Sequence, residues 1–446
     1  MKNMLNSYDP CNGELVGSVE ITPVENISDV VSTARSASKE WGSKSINERA
    51  EIVSRAFSGL EPHISELAEL ISREMGKDLR RSGGEASGTI YGGSYIADSV
   101  KAALQTRRVS NETRVEYKPL GVAAVISPWN YPLAMANNLI VPALVAGNTV
   151  VFKPSEETPL VAGQYVEILN RVLPEGVLNI IFGTAEQGKT LVESDVNIIA
   201  FTGSMAAGKD IMRRASGGLK RLLMELGGND PMIVLHDANI ESAARFAVAS
   251  SFENAGQMCT STERIYVDER IADPFEARVV EIASAYRVGP WNEPGVNIGP
   301  IVNATQHAKI VEHIKDAEDK GARILLGGSN QPERYINPTV ISGMTPDMLM
   351  EQDETFGPVV AISRFSDVED AISRANDSDY GLGAVVYGKE NAEAVADCLE
   401  AGMVGINQGV GGMGDAPWVG AKMSGFGFHG SAEGHRMFAQ TRVVNS

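Results

Sequence analysis

The chain has 446 residues, and its 39 Lys and Arg residues against 57 Asp and Glu residues give a formal net charge of −18 at pH 7. Binding to nucleic acid or to anionic membranes needs a basic surface, so this balance argues against both kinds of partner. Three cysteines spread over the chain form neither a disulfide framework nor a C-x-x-C zinc pair, which favours a reducing, cytoplasmic setting. The start MKNMLNSYDP lacks the apolar stretch of a secretory signal, and the longest apolar tract, 139–152, is too short to span a bilayer.

Helices are the first predicted elements, over 27–40 and 46–75, where apolar residues recur at helical spacing. From Gly121 onward, short apolar runs that predict buried strands alternate with helix-like segments. The predicted strands are VAAVISP, NTVVFKP, VLNIIFG, VNIIAFTG, PMIVLHD, ERIYVDE, VVAISRF, GAVVYG and VGINQG, and the helices between them include LIVPALVAG, VEILNRVLP and ESAARFAVASSF. Strands alternating with helices form parallel sheets, so the sequence predicts an α/β protein with two successive α/β units behind an N-terminal helical piece.

Two segments fit neither unit. TRVEYKP (113–119) and FAQTRVV (438–444) both alternate polar and apolar residues, which is typical of strands with one exposed face. They are either separate edge strands or a pair that forms a projecting arm for subunit contact.

A glycine-rich string, Gly183 to Thr190, matches the phosphate-binding pattern G-x4-G-K-T and predicts a nucleotide triphosphatase as a rival function. Glu186 would put a carboxylate inside the phosphate cradle, where it would repel the ligand. A near-copy follows at Gly203 to Asp210, with an acid at the metal-binding hydroxyl position. Two adjacent near-copies favour ordinary turns that open helices, so the triphosphatase is a remote alternative.

Two other turns could face a dinucleotide. Gly203 and Ser204 precede a helix whose first N–H groups could bind a pyrophosphate, although a tight packing turn fits equally well. Lys153 and Glu156 end a strand three residues apart, and both can reach ribose hydroxyls unless they form a solvated pair. An acid there would repel a 2′-phosphate and so favour NAD over NADP.

Cys259 lies in a polar loop, NAGQMCTST, that would present its thiol rather than pack it. A cysteine nucleophile needs a base, and none of the six histidines lies in a motif paired with a cysteine. Glu225, before two glycines in MELGGNDP, offers a carboxylate, and Asn130 in SPWNYP offers a rigid amide for an oxyanion. The ordinary alternative for Cys259 is an inert thiol, for Glu225 a solvated acid at a helix end, and for Asn130 an Asx turn.

Seven motifs in order, SPWNYP, VVFKPSEETP, FTGS, MELGGNDP, NAGQMCTSTER, DETFGPV and KMSGFG, resemble the aldehyde dehydrogenase superfamily. The resemblance implies the NAD(P)-dependent, hydrolytic, non-phosphorylating type, with a Rossmann-like cofactor domain, an α/β catalytic domain and a small β oligomerisation arm. The implied divisions are 1–107 and 122–228 for cofactor binding, 229–415 for catalysis, and 108–121 and 416–446 for the arm and the C-terminal segment. A homodimer or homotetramer is expected.

The resemblance also implies roles for residues. Cys259 would attack the aldehyde, Asn130 would stabilise the oxyanion, and Glu225 would activate water to hydrolyse the thioester, with no metal. NAD, or NADP as the alternative, would be bound by a set of residues along the cleft: Trp129, Lys153, Glu156, Gly203, Ser204, Glu354 and Phe356. An inert homologue on this fold is a third class of function, which the complete catalytic set argues against.

Two positions depart from the family pattern. Leu139 stands where many members have Lys, and Phe428-His429 stands where many have Arg-Glu. His429 either tunes the site near the substrate mouth or is a surface loop residue, and the second is the favoured expectation. Tyr131, Met135 and Trp418 match positions that line the aldehyde tunnel, and their lack of charge favours an apolar aldehyde, with a succinate-semialdehyde type of substrate as the alternative.

Overall fold

The computed structural model describes residues 3–411 and 414–446. The helices of these residues, in chain order, are α1 Ile27–Ser43, α2 Ile46–Ser58, α3 Ile64–Met75, α4 Leu79–Ala103, α5 Pro132–Val145, α6 Pro159–Asn170, α7 Ala185–Glu193, α8 Met205–Ala215, α9 Ile240–Ser251, α10 Glu269–Ser284, α11 Ala304–Asp319, α12 Leu349–Gln352, α13 Val368–Asn376, α14 Ala392–Ala396 and α15 Ser431–Met437.

The strands are β1 Met4–Tyr8, β2 Leu15–Glu20, β3 Arg107–Arg108, β4 Thr113–Pro119, β5 Val122–Ile126, β6 Thr149–Lys153, β7 Leu178–Ile180, β8 Ile198–Thr202, β9 Arg221–Glu225, β10 Asp230–Val234, β11 Thr262–Asp268, β12 Arg323–Leu326, β13 Thr339–Ser342, β14 Val359–Phe365, β15 Gly383–Tyr387, β16 Met403–Ile406, β17 Trp418–Val419, β18 Gly425–Phe426, β19 Phe428–His429 and β20 Ala439–Asn445. The predicted α/β class is confirmed.

The first large sheet has the order β18-β9-β8-β5-β6-β7, and its five strands from β9 to β7 run parallel. Strands β5, β6 and β8 are buried along almost their whole length, as expected for a parallel sheet with helices on both faces. The carboxyl ends of parallel strands meet at one edge. Because β6 ends at Lys153, β8 at Thr202 and β9 at Glu225, that edge gathers several of the predicted site residues.

The second large sheet has the order β12-β13-β14-β11-β10-β15-β16 and is parallel except for the pair β12–β13. Its own hydrophobic core joins α9, α10 and α11 to the strands. The loop between α9 and β11 carries Cys259 to the edge of the first sheet.

The two outlying segments do pair with each other. Strand β20 is antiparallel to β4 over seven residue pairs, from Ala439 opposite Pro119 to Asn445 opposite Thr113, and β3 extends this sheet on the other side. The arrangement fits an oligomerisation arm. No helix among residues 3–411 and 414–446 is long and apolar enough to cross a membrane.

The helical N-terminal region differs from the prediction in two places. The single helix over 46–75 is divided into α2 and α3 by a short 3₁₀ turn, Glu61–His63, because Pro62 cannot continue an α-helix. The 25-residue helix α4 was not predicted, since its many glycines disfavour a helix in isolation. One of these glycines, Gly93, is required by packing. A Cβ at this position would come within 2.1 Å of the Phe57 ring on α2, so only glycine permits the close approach of the two helices.

Candidate active site

A cavity of about 350 Å³ lies where the two sheets meet, and Asn130, Cys259 and Trp418 all line it. It adjoins a more open pocket of about 560 Å³ along the carboxyl edge of the first sheet. Both are lined by Trp129, Gly203 and three other shared residues, so together they form one cleft. The structure therefore brings Asn130, Cys259 and the predicted cofactor residues into one continuous space, and Glu225 contacts the lining residue Trp418.

Cys259 is held by a tight turn. Asn254 and Ala255 adopt left-handed backbone angles, with φ of 52° and 59°, and Gly256 follows with φ of 74°. A Cβ on Gly256 would approach the backbone of Gly357 to 2.1 Å, so glycine is required where this loop crosses the one before β14. The turn places the half-buried Cys259 side chain in the cavity wall.

Several carboxyl groups lie near the Cys259 thiol. Burial raises its pKa well above the ordinary value, and the neighbouring carboxyl groups of Glu225, Asp230 and Glu354 raise it further. Burial likewise raises the pKa of Asp230 to about 7. The resting thiol is therefore protonated at neutral pH, and it needs a base or a nearby positive charge to become a nucleophile.

Asn130 is fixed next to the cysteine loop. Its side-chain amide donates to the carbonyl of Gln257 at 3.1 Å, and its own carbonyl accepts from the Asn254 side chain at 3.2 Å. Gln257 is itself held, because its side chain accepts from the backbone N–H of Val302 at 3.0 Å. An amide carries two N–H donors, so one remains to stabilise an oxyanion beside Cys259.

Glu225 ends β9 and is 4% exposed. One carboxylate oxygen, Oε1, accepts from the indole N–H of Trp418 at 3.2 Å, whereas Oε2 has no hydrogen-bond partner among the described residues. Burial raises the pKa of Glu225, while the Thr202 hydroxyl, the Cys259 thiol and the Trp418 indole act in the opposite direction. The free oxygen is an acceptor suited to a water molecule or to the thiol proton.

The larger pocket holds the predicted ribose pair. The Lys153 ammonium lies 3.1 Å from the Glu156 carboxylate, with the lysine side chain 6% and the glutamate side chain 41% exposed. Ser204 caps α8, where its side chain accepts from the Ala207 N–H, and the first turn of this helix faces the pocket. The N–H groups at the start of α8 can donate to a pyrophosphate. The lysine can donate to ribose hydroxyls, and the glutamate can accept from them.

Glu354 and Phe356 also line the smaller cavity. Glu354 accepts from the backbone N–H of Gly228 at 3.1 Å, and Phe356 meets Trp129 edge to face at 5.6 Å between ring centroids. Phe356 has a left-handed φ of 56° and is held by Glu263, whose carboxylate accepts from the N–H groups of Thr355 and Phe356. These hydrogen bonds fix the backbone of the segment from Glu354 to Phe356 at the cavity wall.

Sequence reasoning missed some residues of the cleft. Gln306 and Lys309 on α11 line the smaller cavity, and no motif in their segment pointed to them. The string Gly183–Thr190 lies beside the larger pocket, which Gly188 and Lys189 line. It is no phosphate cradle, because α7 starts at Ala185 and the Thr190 hydroxyl donates to the carbonyl of Glu186 within that helix.

The expectation that His429 is a surface residue is wrong. His429 is 5% exposed, and its ring stacks on Trp418 with 6.1 Å between centroids and 15° between planes. Burial lowers the pKa of His429 to about 4, so the ring is neutral at pH 7. Leu139, the other departure, lies in the core of the first unit with no exposed surface.

Comparison with known proteins agrees with this geometry. Residues 1–444 match the model of the aldehyde dehydrogenase family. The chain is 35% identical to the NADP(+)-dependent succinate-semialdehyde dehydrogenase of Escherichia coli K12, over 98% of this chain and 93% of that protein. It is 36% identical to betaine aldehyde dehydrogenase of Bacillus subtilis 168, over 94% and 89%.

Solved structures give the same result. A crystal structure described as an NADP-dependent enzyme of Escherichia coli has a TM-score of 0.95 at 34% identity and covers 99% of this chain and 94% of its own. A 3,6-anhydro-L-galactose dehydrogenase in complex with NAP has a TM-score of 0.94 at 32% identity, with coverage of 99% and 96%. The chain therefore belongs to the aldehyde dehydrogenase family, whose members are NAD(P)-dependent oxidoreductases that act on aldehydes.

Proposed function

We propose that Cys259 is the nucleophile, Asn130 the oxyanion donor and Glu225 the base that hydrolyses the acyl-enzyme. The observation that carries this proposal is that Cys259 and Asn130 line one cavity and that Glu225 is hydrogen-bonded to Trp418 of the same cavity, near enough to Cys259 to raise the pKa of its thiol. Once Cys259 has lost its proton to solvent, its thiolate attacks the aldehyde carbon and forms a thiohemiacetal. The Asn130 amide then donates to the resulting oxyanion.

The cleft suits a dinucleotide. Its two parts provide room for the ligand, and Gly203, which has no side chain, lies at their junction. The N-terminus of α8, with Ser204 as its cap, would face the pyrophosphate, and Lys153 with Glu156 would contact a ribose. When bound, NAD(P) accepts the hydride that leaves the substrate carbon. Glu354 and Phe356 would hold the nicotinamide end near Cys259.

Hydrolysis completes the reaction. The oxygen Oε2 of Glu225, which has no hydrogen-bond partner among the residues that the structure describes, would accept a proton from water as that water attacks the thioester. Cys259 leaves as the thiolate, and the product is a carboxylic acid. This role also separates the enzyme from variants that pass the acyl group to coenzyme A, since a water-activating carboxylate serves only hydrolysis.

We further propose an uncharged, apolar aldehyde as the substrate. Tyr131, Met135, Met258 and Trp418 line the cavity, and Lys309 is the one cation among its described lining residues. Burial raises the pKa of Glu354 to about 7, and the Lys309 charge opposes that rise, so Lys309 lies near Glu354, the residue proposed to hold the nicotinamide end. The Tyr131 hydroxyl is also engaged, because it donates to Glu253 at 3.3 Å.

A semialdehyde substrate is the second candidate, because relatives named for succinate semialdehyde and glutarate semialdehyde are about one-third identical to this chain. Arg81 is the cation nearest to Tyr131's partner Glu253, but its guanidinium is already bound by Asp78 at 2.7 Å and Glu253 at 2.8 Å. It therefore has little capacity left for a substrate carboxylate.

The test uses NADH or NADPH absorbance with a panel of aldehydes. Butanal and succinate semialdehyde have the same chain length and differ by the carboxylate, so their kcat/KM ratio measures charge preference directly. We expect butanal to be the better substrate. A higher kcat/KM for succinate semialdehyde would overturn the substrate proposal, and full activity in Cys259→Ser would overturn the assignment of the nucleophile.

NAD as the preferred acceptor is supported by the Glu156 carboxylate in the larger pocket. The arm formed by β3, β4 and β20 supports a homodimer or homotetramer, and the three free cysteines fit a cytoplasmic location. Cofactor titration and sedimentation of the purified protein would test the first two proposals.

A further inference from the structure

Trp418 has a contact that lining a substrate cavity does not require. Its indole N–H donates to Oε1 of Glu225 at 3.2 Å, across 193 residues of sequence. An indole can donate but not accept, so this contact favours the carboxylate form of Glu225. It also occupies one of the two carboxylate oxygens and leaves the other free.

The backbone around Trp418 is tied to the backbone around Glu225. In β18, Gly425 pairs with Glu225 itself, and the N–H of Leu226 donates to the carbonyl of Ser424 at 2.9 Å. The Ser424 hydroxyl donates in turn to the carbonyl of Gly227 at 2.7 Å. The segment that carries Trp418 is therefore fixed on both sides of the glutamate, and the two side chains cannot easily separate.

His429 packs against the indole ring of Trp418 and restricts its orientation. Trp418 and His429 are cross-strand partners in the β17–β19 pair, and their rings are nearly parallel. His429 lies buried and its Nε2 has no hydrogen-bond partner among the described residues, so its contribution here is packing against the indole. The stack limits rotation of Trp418 and keeps its N–H directed at Glu225.

We propose that Trp418 is a positioning residue for deacylation: its indole N–H holds Oε1 of Glu225 so that Oε2 faces the water that attacks the acyl-enzyme. This inference rests on the proposed role of Glu225 as the base. Trp418 acts through Glu225 and takes no proton itself. His429 supports it by stacking.

The experiment compares the wild type with Trp418→Phe, which keeps an aromatic ring in the stack but removes the N–H donor. The acyl-enzyme formed with propanal and NAD is quenched at intervals, and its decay is followed by intact-protein mass. Trp291→Phe is the matched control, because the Trp291 indole also donates to a carboxylate, Asp9, at 2.9 Å, but lies outside both cavities.

In Trp418→Phe we expect the rate constant of acyl-enzyme hydrolysis at pH 7 to fall about tenfold, the loss typical of one hydrogen bond to a charged group. The pKa of Glu225 should rise without the donor, so the acidic limb of the hydrolysis–pH profile should move to higher pH. Cys259 is a thioester at this stage and does not titrate, Glu354 beside Glu225 is unchanged, and His429 stays neutral. Trp291→Phe should match the wild type.

Three results separate the alternatives. If Trp418→Phe changes only the KM for the aldehyde and keeps the wild-type hydrolysis rate and pH profile, Trp418 is merely a wall of the cavity and the inference is wrong. If the wild type forms no acyl-enzyme at Cys259 with any aldehyde, the proposed function itself fails. If Trp418→Phe does not fold, benzothienylalanine at position 418 replaces the N–H by sulfur at nearly unchanged shape, and the same two readouts decide.

Discussion

Replacing Glu225 by Gln removes the proposed proton acceptor but keeps the size and the other contacts of this side chain. The Gln side chain has the same shape, and its oxygen can still accept from the Trp418 indole, which now lies 3.2 Å from Oε1. The amide nitrogen then takes the place of Oε2, the atom that has no hydrogen-bond partner within residues 3–411 and 414–446. The substitution therefore exchanges the proton acceptor for a donor while the surrounding contacts persist.

The size of the effect follows from that exchange. A positioned general base contributes about 10²- to 10⁴-fold to a rate, so acyl-enzyme hydrolysis in Glu225→Gln should slow by a factor in this range. Acylation should be less affected, because removal of the Glu225 charge also relieves a repulsion that raises the pKa of Cys259. The expected pattern is fast formation of one NADH per active site followed by very slow turnover.

Stopped-flow absorbance after mixing enzyme, NAD and propanal measures both phases. The burst amplitude counts acylated sites, and the linear phase gives the rate of deacylation. Steady turnover within about threefold of the wild type would refute the base assignment, since general-base catalysis cannot be so small. Loss of the burst itself would show that Glu225 is needed earlier, for deprotonation of Cys259.

Three further predictions concern other parts of the molecule. Glu156→Ser should raise the ratio of kcat/KM for NADP to that for NAD about tenfold, because like charges about 4 Å apart at a protein surface cost roughly 1–4 kcal/mol, and an unchanged ratio in initial-rate assays would remove Glu156 from the ribose site. Lys77→Met should lower the free energy of unfolding in urea by about 3 kcal/mol, because it leaves the carboxylate of Glu85 buried without its partner. The two groups are 2.5 Å apart, with side chains 0% and 1% exposed. The exposed pair Lys101–Asp98 is the control: Lys101→Met should change the free energy of unfolding by less than about 1 kcal/mol. The pKa of Asp230 is raised from 3.8 to about 7 by burial, so the native state binds a proton more tightly than the unfolded state, and this stabilisation is lost as the pH rises from about 4 to 7. Asp230→Asn should therefore flatten the stability–pH curve in that window, and an identical curve in urea titrations at several pH values would contradict the raised pKa.

Local sequence was enough to predict the turns at the edge of the first sheet. Lys153, Gly203 and Glu225 each lie within a few residues of a strand end, and short motifs identify such positions well. The sheet order and the pairing of β4 with β20 needed the structure, because contacts between residues more than 300 positions apart leave no local pattern.

Helix α4 and His429 were predicted wrongly because their structure depends on packing against other segments, which a local sequence pattern does not record. Helix α4 is stabilised by packing against its neighbours, and that packing outweighs the poor helix propensity of its glycines. His429 is polar and lies in a glycine-rich stretch, both of which suggest exposure, yet it stacks on Trp418. Such burial depends on a partner strand, β17, that short periodicity cannot predict.

The link between β9 and the segment around Gly425 has a consequence for how the protein is made. A growing chain on the ribosome contains the nucleophile and the glutamate long before it contains Trp418 or β18. A chain that ends before residue 418 would lack the indole that binds Oε1 of Glu225 and the strand β18 that pairs with β9. Synthesis must therefore pass residue 426 before Glu225 has both its indole partner and the strand that pairs with it.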